Sequence, residues 1–234
     1  MTGARQLALV YRGPAACAEC PQALAELLHG ADRGFEVRFV GDAERHTISR
    51  ATLGEAALYA QPGGGRSLTR AYRRVKASTP LIREFVLSGG RYLGVCMGGY
   101  LADGWRGFGL LPPGVEADPY ISAPRADVTT RADTLVNVRW RGSLVPSPLF
   151  FQDGPLFRIP TEPPAGVTVV GRYATTGDVA ALVSPFGRGW VAVCGPHPEA
   201  PDDWYAAHGL PGGRRNGAAL GHDLIAALMT AGDS

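Results

Sequence analysis

The chain has 234 residues, 45% hydrophobic and 19% charged, a composition that predicts one soluble globular domain over residues 1–234. Its 23 basic and 21 acidic residues give a net charge of +2, so it lacks the broad basic field that binds nucleic acid or anionic lipid. No run of about 20 apolar residues suggests a membrane span, and the N-terminal run LALVY is typical of a first strand. We therefore expect a cytoplasmic protein with reduced cysteines.

Strands and helices alternate along the first half of the chain. Short apolar runs predict strands at Leu7–Tyr11, Phe35–Val40, Ala56–Ala60 and Arg91–Val95. Leucine spacing and terminal Pro, Thr and Gly residues predict helices at Pro21–Gly30, Ser67–Ala77 and Thr79–Leu87. This alternation is typical of an α/β protein with a mostly parallel sheet flanked by helices on both faces.

The second half is rich in strands. Between Arg125 and Cys194, clusters of Gly and Pro separate the apolar segments TLVNVRW, VTVVGRY, DVAALVS and GWVAVCG, each of which predicts a strand. A last helix is predicted over about Asn216 to Met229. The basic run RAYRRVK, from Arg70 to Lys76, is interpreted as a solvated helix face.

Cys96 lies in the segment GVCMGGY, just after the strand that ends at Val95. Parallel sheets carry their sites at the carboxyl ends of the strands. A nucleophile elbow, which turns sharply from strand to helix, leaves no room for side chains at flanking positions such as Gly94 and Gly98. The amino end of the helix would also favour a thiolate. Cys96 is therefore a candidate nucleophile; the alternative is a small core residue in a glycine-rich chain.

A second motif, CGPHPEA, ends the last predicted strand and contains His197 and Glu199. Because Pro198 pushes His197 towards an extended conformation, residues 197 and 199 should point the same way, and their imidazole and carboxylate can meet. A histidine oriented by a carboxylate is what a cysteine nucleophile needs as its base. The alternative is a polar turn that closes a strand.

The segment QPGGG, from Gln61 to Gly65, follows the third predicted strand on the same sheet edge. Glycines leave the backbone amides open to a substrate oxygen, and together with the amide of Met97 they could form an oxyanion hole. The alternative is a simple loop.

These motifs, in this order, resemble the class I glutamine amidotransferases, which share a flavodoxin-like α/β fold. More closely, LVYRGP, QPGGG, SGGRYLGVCMGGYLA and GPHPEA are similar to the N-terminal domain of eukaryotic biotin-protein ligases and its free-standing bacterial relatives. The resemblance spans roughly Leu7 to Ala200 and implies no ligase activity. It implies a catalytic triad of Cys96, His197 and Glu199, with oxyanion donors Gly63, Gly64 and Met97.

Several other residues are candidates for the pocket. Cys17 and Cys20 have CxxC spacing but lack the further ligands of a zinc site; they could form a redox pair or line the pocket. Tyr100 follows the elbow, and Gln152 and Asp153 belong to FFQDGPLF, which is otherwise a turn between two strands. The remaining histidines have no ligand spacing, so we expect no metal and no cofactor.

Two functions remain open. The first is a cysteine-dependent amide hydrolase or amidotransferase subunit that acts on a small-molecule or peptide amide through a thioester. An amidotransferase subunit would need a separate synthetase as its partner. The second is a non-catalytic binding or regulatory module with the same fold. The presence of Cys96, His197 and Glu199 together favours the enzyme.

Overall fold

An eleven-stranded sheet organises the part of the chain that the computed structural model describes, residues 5–32 and 34–232. The strands are β1 Gln6–Tyr11, β2 Phe35–Val40, β3 Leu58–Gln61, β4 Arg91–Val95, β5 Glu116–Pro119, β6 Thr134–Trp140, β7 Ser147–Phe151, β8 Pro155–Arg158, β9 Thr168–Tyr173, β10 Val179–Phe186 and β11 Gly189–Cys194. The helices are α1 Cys20–Gly30, α2 Arg50–Gly54, α3 Leu68–Val75, α4 Thr79–Leu87, α5 Met97–Ala102, α6 Asp202–Ala207 and α7 Arg214–Thr230.

The sheet is mixed, which corrects the expectation of a mostly parallel one. Its order is β2-β1-β3-β4-β11-β10-β9-β6-β7, with β8 pairing β10 and β5 pairing β8. The pairs from β2 to β11 are parallel, whereas β10, β9, β6 and β7 add on as antiparallel strands. The physical reason is chain connection: β10 and β11 are joined by a tight turn at Gly187, which has φ +63°, and strands joined this way must run antiparallel.

Most predicted elements of the first half are confirmed. The strands at 35–40 and 91–95 and the helix at 79–87 have the predicted bounds. The third strand begins at Leu58 rather than Ala56, and the helix predicted to reach Ala77 ends at Val75 in a 3-10 turn over residues 76–78. The sequence did not indicate the short helices α2 and α6 or the short strand β5, since each has only four to six residues.

Alternating side chains of the central strands supply two apolar cores, one on each face of the sheet. In β1, Ala8 and Val10 pack on the side covered by α1 and α7, whereas Leu9 packs on the side of α3, α4 and α5. No helix within the described residues is long and apolar enough to cross a membrane. Because β1, β3, β4 and β11 are parallel, the segments that follow them come together at one edge of the sheet.

Candidate active site

Cys96 lies between the last residue of β4 and the first residue of α5, in a backbone conformation that few residues adopt. Its φ is +50° and its ψ is −107°. Such a conformation costs on the order of 1–3 kcal/mol and persists only where the surrounding structure imposes it. Here the Cys96 amide donates to the carbonyl of Cys194 at 2.8 Å, which ties the turn to the end of β11. The structure therefore places Cys96 in the predicted elbow geometry.

Close backbone approaches explain the two flanking glycines. A Cβ atom on Gly94 would lie 2.4 Å from the carbonyl oxygen of Gly98, and one on Gly98 would lie 2.0 Å from that of Gln61. Side chains at either position would force the start of α5 away from β3 and β4. The GxCxG spacing is thus a steric requirement of this turn.

His197 and Glu199 form a buried pair after β11. The Nδ1 atom of His197 lies 2.8 Å from Oε1 of Glu199, and only 3% and 2% of the two residues are exposed. The backbone amide of His197 donates to the carbonyl of Phe150 at 2.8 Å, so residue 197 bridges to the end of β7. The rings of Phe150 and Trp204 pack edge-on against the imidazole.

Cys96 is the other polar neighbour of the His197 imidazole, and a side-chain hydrogen bond between the two is among the interactions that raise the pKa of the histidine. Since Nδ1 is engaged by Glu199, Nε2 is the atom available to the sulfur. Burial by itself lowers the pKa of His197, but the neighbouring Glu199 and Cys96 side chains, through charge and hydrogen bonds, raise this pKa well above its usual value. The site therefore stabilises the protonated imidazole that a general base becomes when it takes a proton.

Cys96 opens onto a cavity of about 260 Å³. The thiol is 5% exposed and donates to the carbonyl of Gln152 at 3.5 Å. Cations and carboxylates surround the mouth, among them Arg66, Asp103, Asp118, Arg131 and Asp153. A larger cavity of about 600 Å³ lies at the opposite edge of the sheet, beside the first residues of β1 and β4, and contains neither the thiol nor the imidazole.

The oxyanion candidates differ in position. Gly64 and Met97 both line the Cys96 cavity and touch each other, because a Cβ atom on Gly64 would lie 2.8 Å from Met97 Cγ. The amide of Met97 is the first of α5, which the helix itself cannot pair. Gly63 instead lies against the imidazole: a Cβ atom there would be 2.7 Å from His197 Cε1. The geometry makes Gly64 and Met97 the better-placed pair.

The three further candidates Tyr100, Gln152 and Asp153 all line this cavity. The hydroxyl of Tyr100 donates to the carbonyl of Asp153 at 3.2 Å, and burial raises the pKa of that hydroxyl. The Asp153 carboxylate pairs with Arg131 at 3.0 Å. The side-chain amide of Gln152 donates to Asp133 at 2.7 Å, so it is the Gln152 backbone that reaches the thiol. FFQDGPLF does form a turn, between β7 and β8, and that turn also forms a wall of the site.

Cys17 and Cys20 form a disulfide, which corrects the expectation that all four cysteines are reduced. A turn after β1 brings their Cα atoms to 5.4 Å, within the range that a disulfide spans. The pair lines a cavity of about 220 Å³ that also contains His197 and Trp204. Cys194 is a free, fully buried thiol, as expected for a strand residue.

The roles of Trp204, Asp133 and Arg131 could not be found from the sequence. Each lies in a segment without a motif. Trp204 belongs to α6 and packs its ring against the imidazole, whereas Asp133 and Arg131 reach the Gln152–Asp153 turn through tertiary packing. Within residues 5–32 and 34–232, no group of three or more His, Cys, Asp or Glu side chains is arranged to hold a metal ion.

Comparisons with known proteins agree with the resemblance seen in the motifs. The family described as biotin-protein ligase, N terminal, matches residues 7–110. A glutamine amidotransferase from Thermotoga maritima is similar in structure, with a TM-score of 0.65 and 14% identity over 97% of this chain and 99% of that one. A cytoplasmic protein from Salmonella typhimurium LT2 has a TM-score of 0.56 and 12% identity over 95% and 98% of the two chains.

The fold also occurs within larger enzymes. An exo-beta-1,4-mannosidase from Opitutaceae bacterium strain TAV5 has a TM-score of 0.54 and 16% identity, covering 96% of this chain but 36% of the mannosidase. A search of curated protein sequences finds no significant match. At these identities the structural similarities establish the fold alone. Residues 7–110 match the family described as biotin-protein ligase, N terminal, and the α/β fold is similar to that of the Thermotoga maritima glutamine amidotransferase.

Proposed function

We propose that this protein is a cysteine-dependent amide hydrolase or amidotransferase that works through a thioester at Cys96. The observation that carries this proposal is the contact of the Cys96 thiol, held in an elbow, with an imidazole that Glu199 orients from its far side. A nucleophile, a base and a group that orients the base are the three parts of a cysteine hydrolase.

In the proposed reaction, the Cys96 proton passes to Nε2 of His197 and the thiolate attacks the amide carbonyl carbon. Amides of Gly64 and Met97 stabilise the negative oxygen. The imidazolium then gives its proton to the leaving nitrogen, the C–N bond breaks, and an acyl thioester and an amine or ammonia remain. Water, deprotonated by His197, releases the acid and restores the thiol. The charge of Glu199 stabilises the imidazolium throughout.

The cavity supports a small polar amide as the substrate. Its volume of about 260 Å³ suits a small molecule or the end of a peptide, and the arginines and carboxylates that line it offer polar partners of both charges to such a substrate. An amidotransferase would pass the released ammonia to an acceptor enzyme, which we propose as a separate synthetase.

Ammonia release from glutamine and a panel of simple amides tests this proposal. Wild-type protein should release ammonia, and Cys96→Ser should lose nearly all of this activity while it remains folded, because a hydroxyl ionises far less easily than a thiol. An electrophilic glutamine analogue should add to Cys96 and not to Cys194, because burial raises the pKa of the Cys194 thiol. Gly104→Ala, at an exposed position with no atom within 4 Å of the new methyl group, is the control.

A binding or regulatory module is the second candidate. It is favoured by the resting position of the thiol, which is 5% exposed and directed at the carbonyl of Gln152. In that case wild-type protein releases no ammonia from any amide and Cys96→Ser retains full biological activity. That pair of results would refute the hydrolase.

A further inference from the structure

The Cys17–Cys20 disulfide lies at the amino end of α1 and has one accessible and one buried side. Cys20, the first residue of the helix, is 4% exposed, whereas Cys17 is partly exposed in the preceding turn. The backbone amide of Cys20 donates to the sulfur of Cys17 at 3.0 Å. An amide aimed at a sulfur stabilises that sulfur as a thiolate, and the helix amino end adds to the effect.

We propose that Cys17 and Cys20 form a redox-active pair that exchanges with dithiols through Cys17. This function is separate from the amide chemistry at Cys96 and does not depend on it. Cys17 is the sulfur that a reagent can reach, since Cys20 is buried against the backbone of Gly63: a Cβ atom there would lie 3.0 Å from the Cys20 sulfur. The cavity of about 220 Å³ beside the pair gives access for a thiol.

The exchange balances without a further reactant. One thiolate of an external dithiol attacks Cys17 Sγ, the bond between Cys17 and Cys20 breaks, and Cys20 leaves as a thiolate at the helix amino end. The second thiol of the reagent then attacks the reagent sulfur that is bonded to Cys17. This closes the reagent's own disulfide and releases Cys17. Two electrons pass to the protein, the reagent becomes a disulfide, and its two protons go to the two cysteines.

One glycine, Gly63, contacts both the Cys17–Cys20 pair and the Cys96 site. The amide of Cys17 donates to the carbonyl of Gly63 at 3.0 Å, and the same Gly63 lies between the Cys20 sulfur and the ring of His197. Reduction replaces the sulfur–sulfur bond by a non-bonded contact, so a sulfur must move and press on this loop. We expect reduction to slow alkylation of Cys96 at least threefold, because His197 loses its support; this coupling rests on the contact between His197 and Cys96 that the proposed function uses.

The exchange is tested with Cys96→Ala protein, which leaves the pair and the buried Cys194. Intact mass after dithiothreitol and N-ethylmaleimide should show two modified cysteines in folded protein, and peptide mapping should place them at 17 and 20. Limiting glutathione, trapped by acid and mapped in wild-type protein, should form its mixed disulfide on Cys17. A disulfide that resists dithiothreitol until the protein unfolds, or glutathione found on Cys20, would overturn the proposal.

Single-cysteine variants give a second measurement. Cys20→Ser should react with an aromatic disulfide about 10-fold faster at Cys17 than Cys17→Ser does at Cys20, since only Cys17 is accessible and faces the amide of residue 20. The coupling is measured in wild-type protein by the iodoacetamide rate at Cys96 before and after reduction. Equal iodoacetamide rates before and after reduction would overturn the coupling but would not affect the proposal that Cys17 and Cys20 exchange with dithiols. The exchange and coupling measurements do not depend on whether any amide is hydrolysed.

Discussion

Replacing Gly98 by alanine tests the steric basis of the elbow. The new methyl group would lie 2.0 Å from the carbonyl oxygen of Gln61 and 2.9 Å from its carbonyl carbon. Carbon and oxygen atoms that are not bonded approach to roughly 3.3 Å. The start of α5 and the end of β3 must therefore separate by roughly 1.3 Å, and no side-chain rotation can relieve the clash because both partners are backbone.

The cost follows from this displacement. Overpacking a buried site costs typically about 1–3 kcal/mol, and a backbone contact belongs at the upper end of that range. A loss of about 3 kcal/mol, with a denaturant slope of about 3 kcal/mol per molar urea, lowers the unfolding midpoint by about 1 M. The displaced turn also carries Cys96 and Met97, and a misplacement of about 1 Å can reduce a catalytic rate about 100-fold.

Urea denaturation followed by circular dichroism measures the first effect, and the iodoacetamide rate at Cys96 reports the second. Gly104→Ala is the matched control, because that glycine is exposed and its new methyl group would meet no atom within 4 Å. Its free energy of unfolding should stay within about 0.5 kcal/mol of the wild-type value. If Gly98→Ala unfolds within about 0.2 M of the wild-type midpoint, the close approach of α5 to β3 is wrong and the steric account of the motif fails with it.

Two further substitutions probe charge. Glu199→Gln removes the carboxylate that raises the pKa of His197, so the titration of the His197 ring, followed by NMR, should move to lower pH; an unchanged titration would contradict the role of Glu199. Hydrogen bonding to Arg141 lowers the pKa of Asp223 in the folded protein. The ionised carboxylate therefore stabilises the fold at pH values above the pKa of about 3.9 in the unfolded chain, and this stabilisation is lost as the pH falls through the lower pKa of the folded protein. Asp223→Asn should lower the free energy of unfolding by about 0.5–1 kcal/mol at pH 7 and by nothing once Asp223 is protonated, as measured by denaturation at both pH values.

Local pattern was sufficient for most elements of the first half and for the elbow. Apolar runs bounded by Gly and Pro predicted strands such as 91–95, because strand formation and termination depend on neighbouring residues. The glycines at 94 and 98 indicated a turn without side chains, and Pro198 indicated an extended His197; both are backbone effects visible in a few residues.

Contacts between distant segments were decided only by the tertiary structure. The sequence did not reveal that the strands beyond β11 in the sheet pair antiparallel, or that Gln152 offers its backbone rather than its side chain to the thiol. It left open whether the neighbouring Cys17 and Cys20 form a redox pair, and the structure joins them. Trp204 reaches the imidazole of His197 because α6, which has no motif, packs back against the site. Such contacts depend on how the whole chain closes its core, since a pairing between remote segments is selected by the sum of all the surfaces that it buries and not by the residues on either side of it.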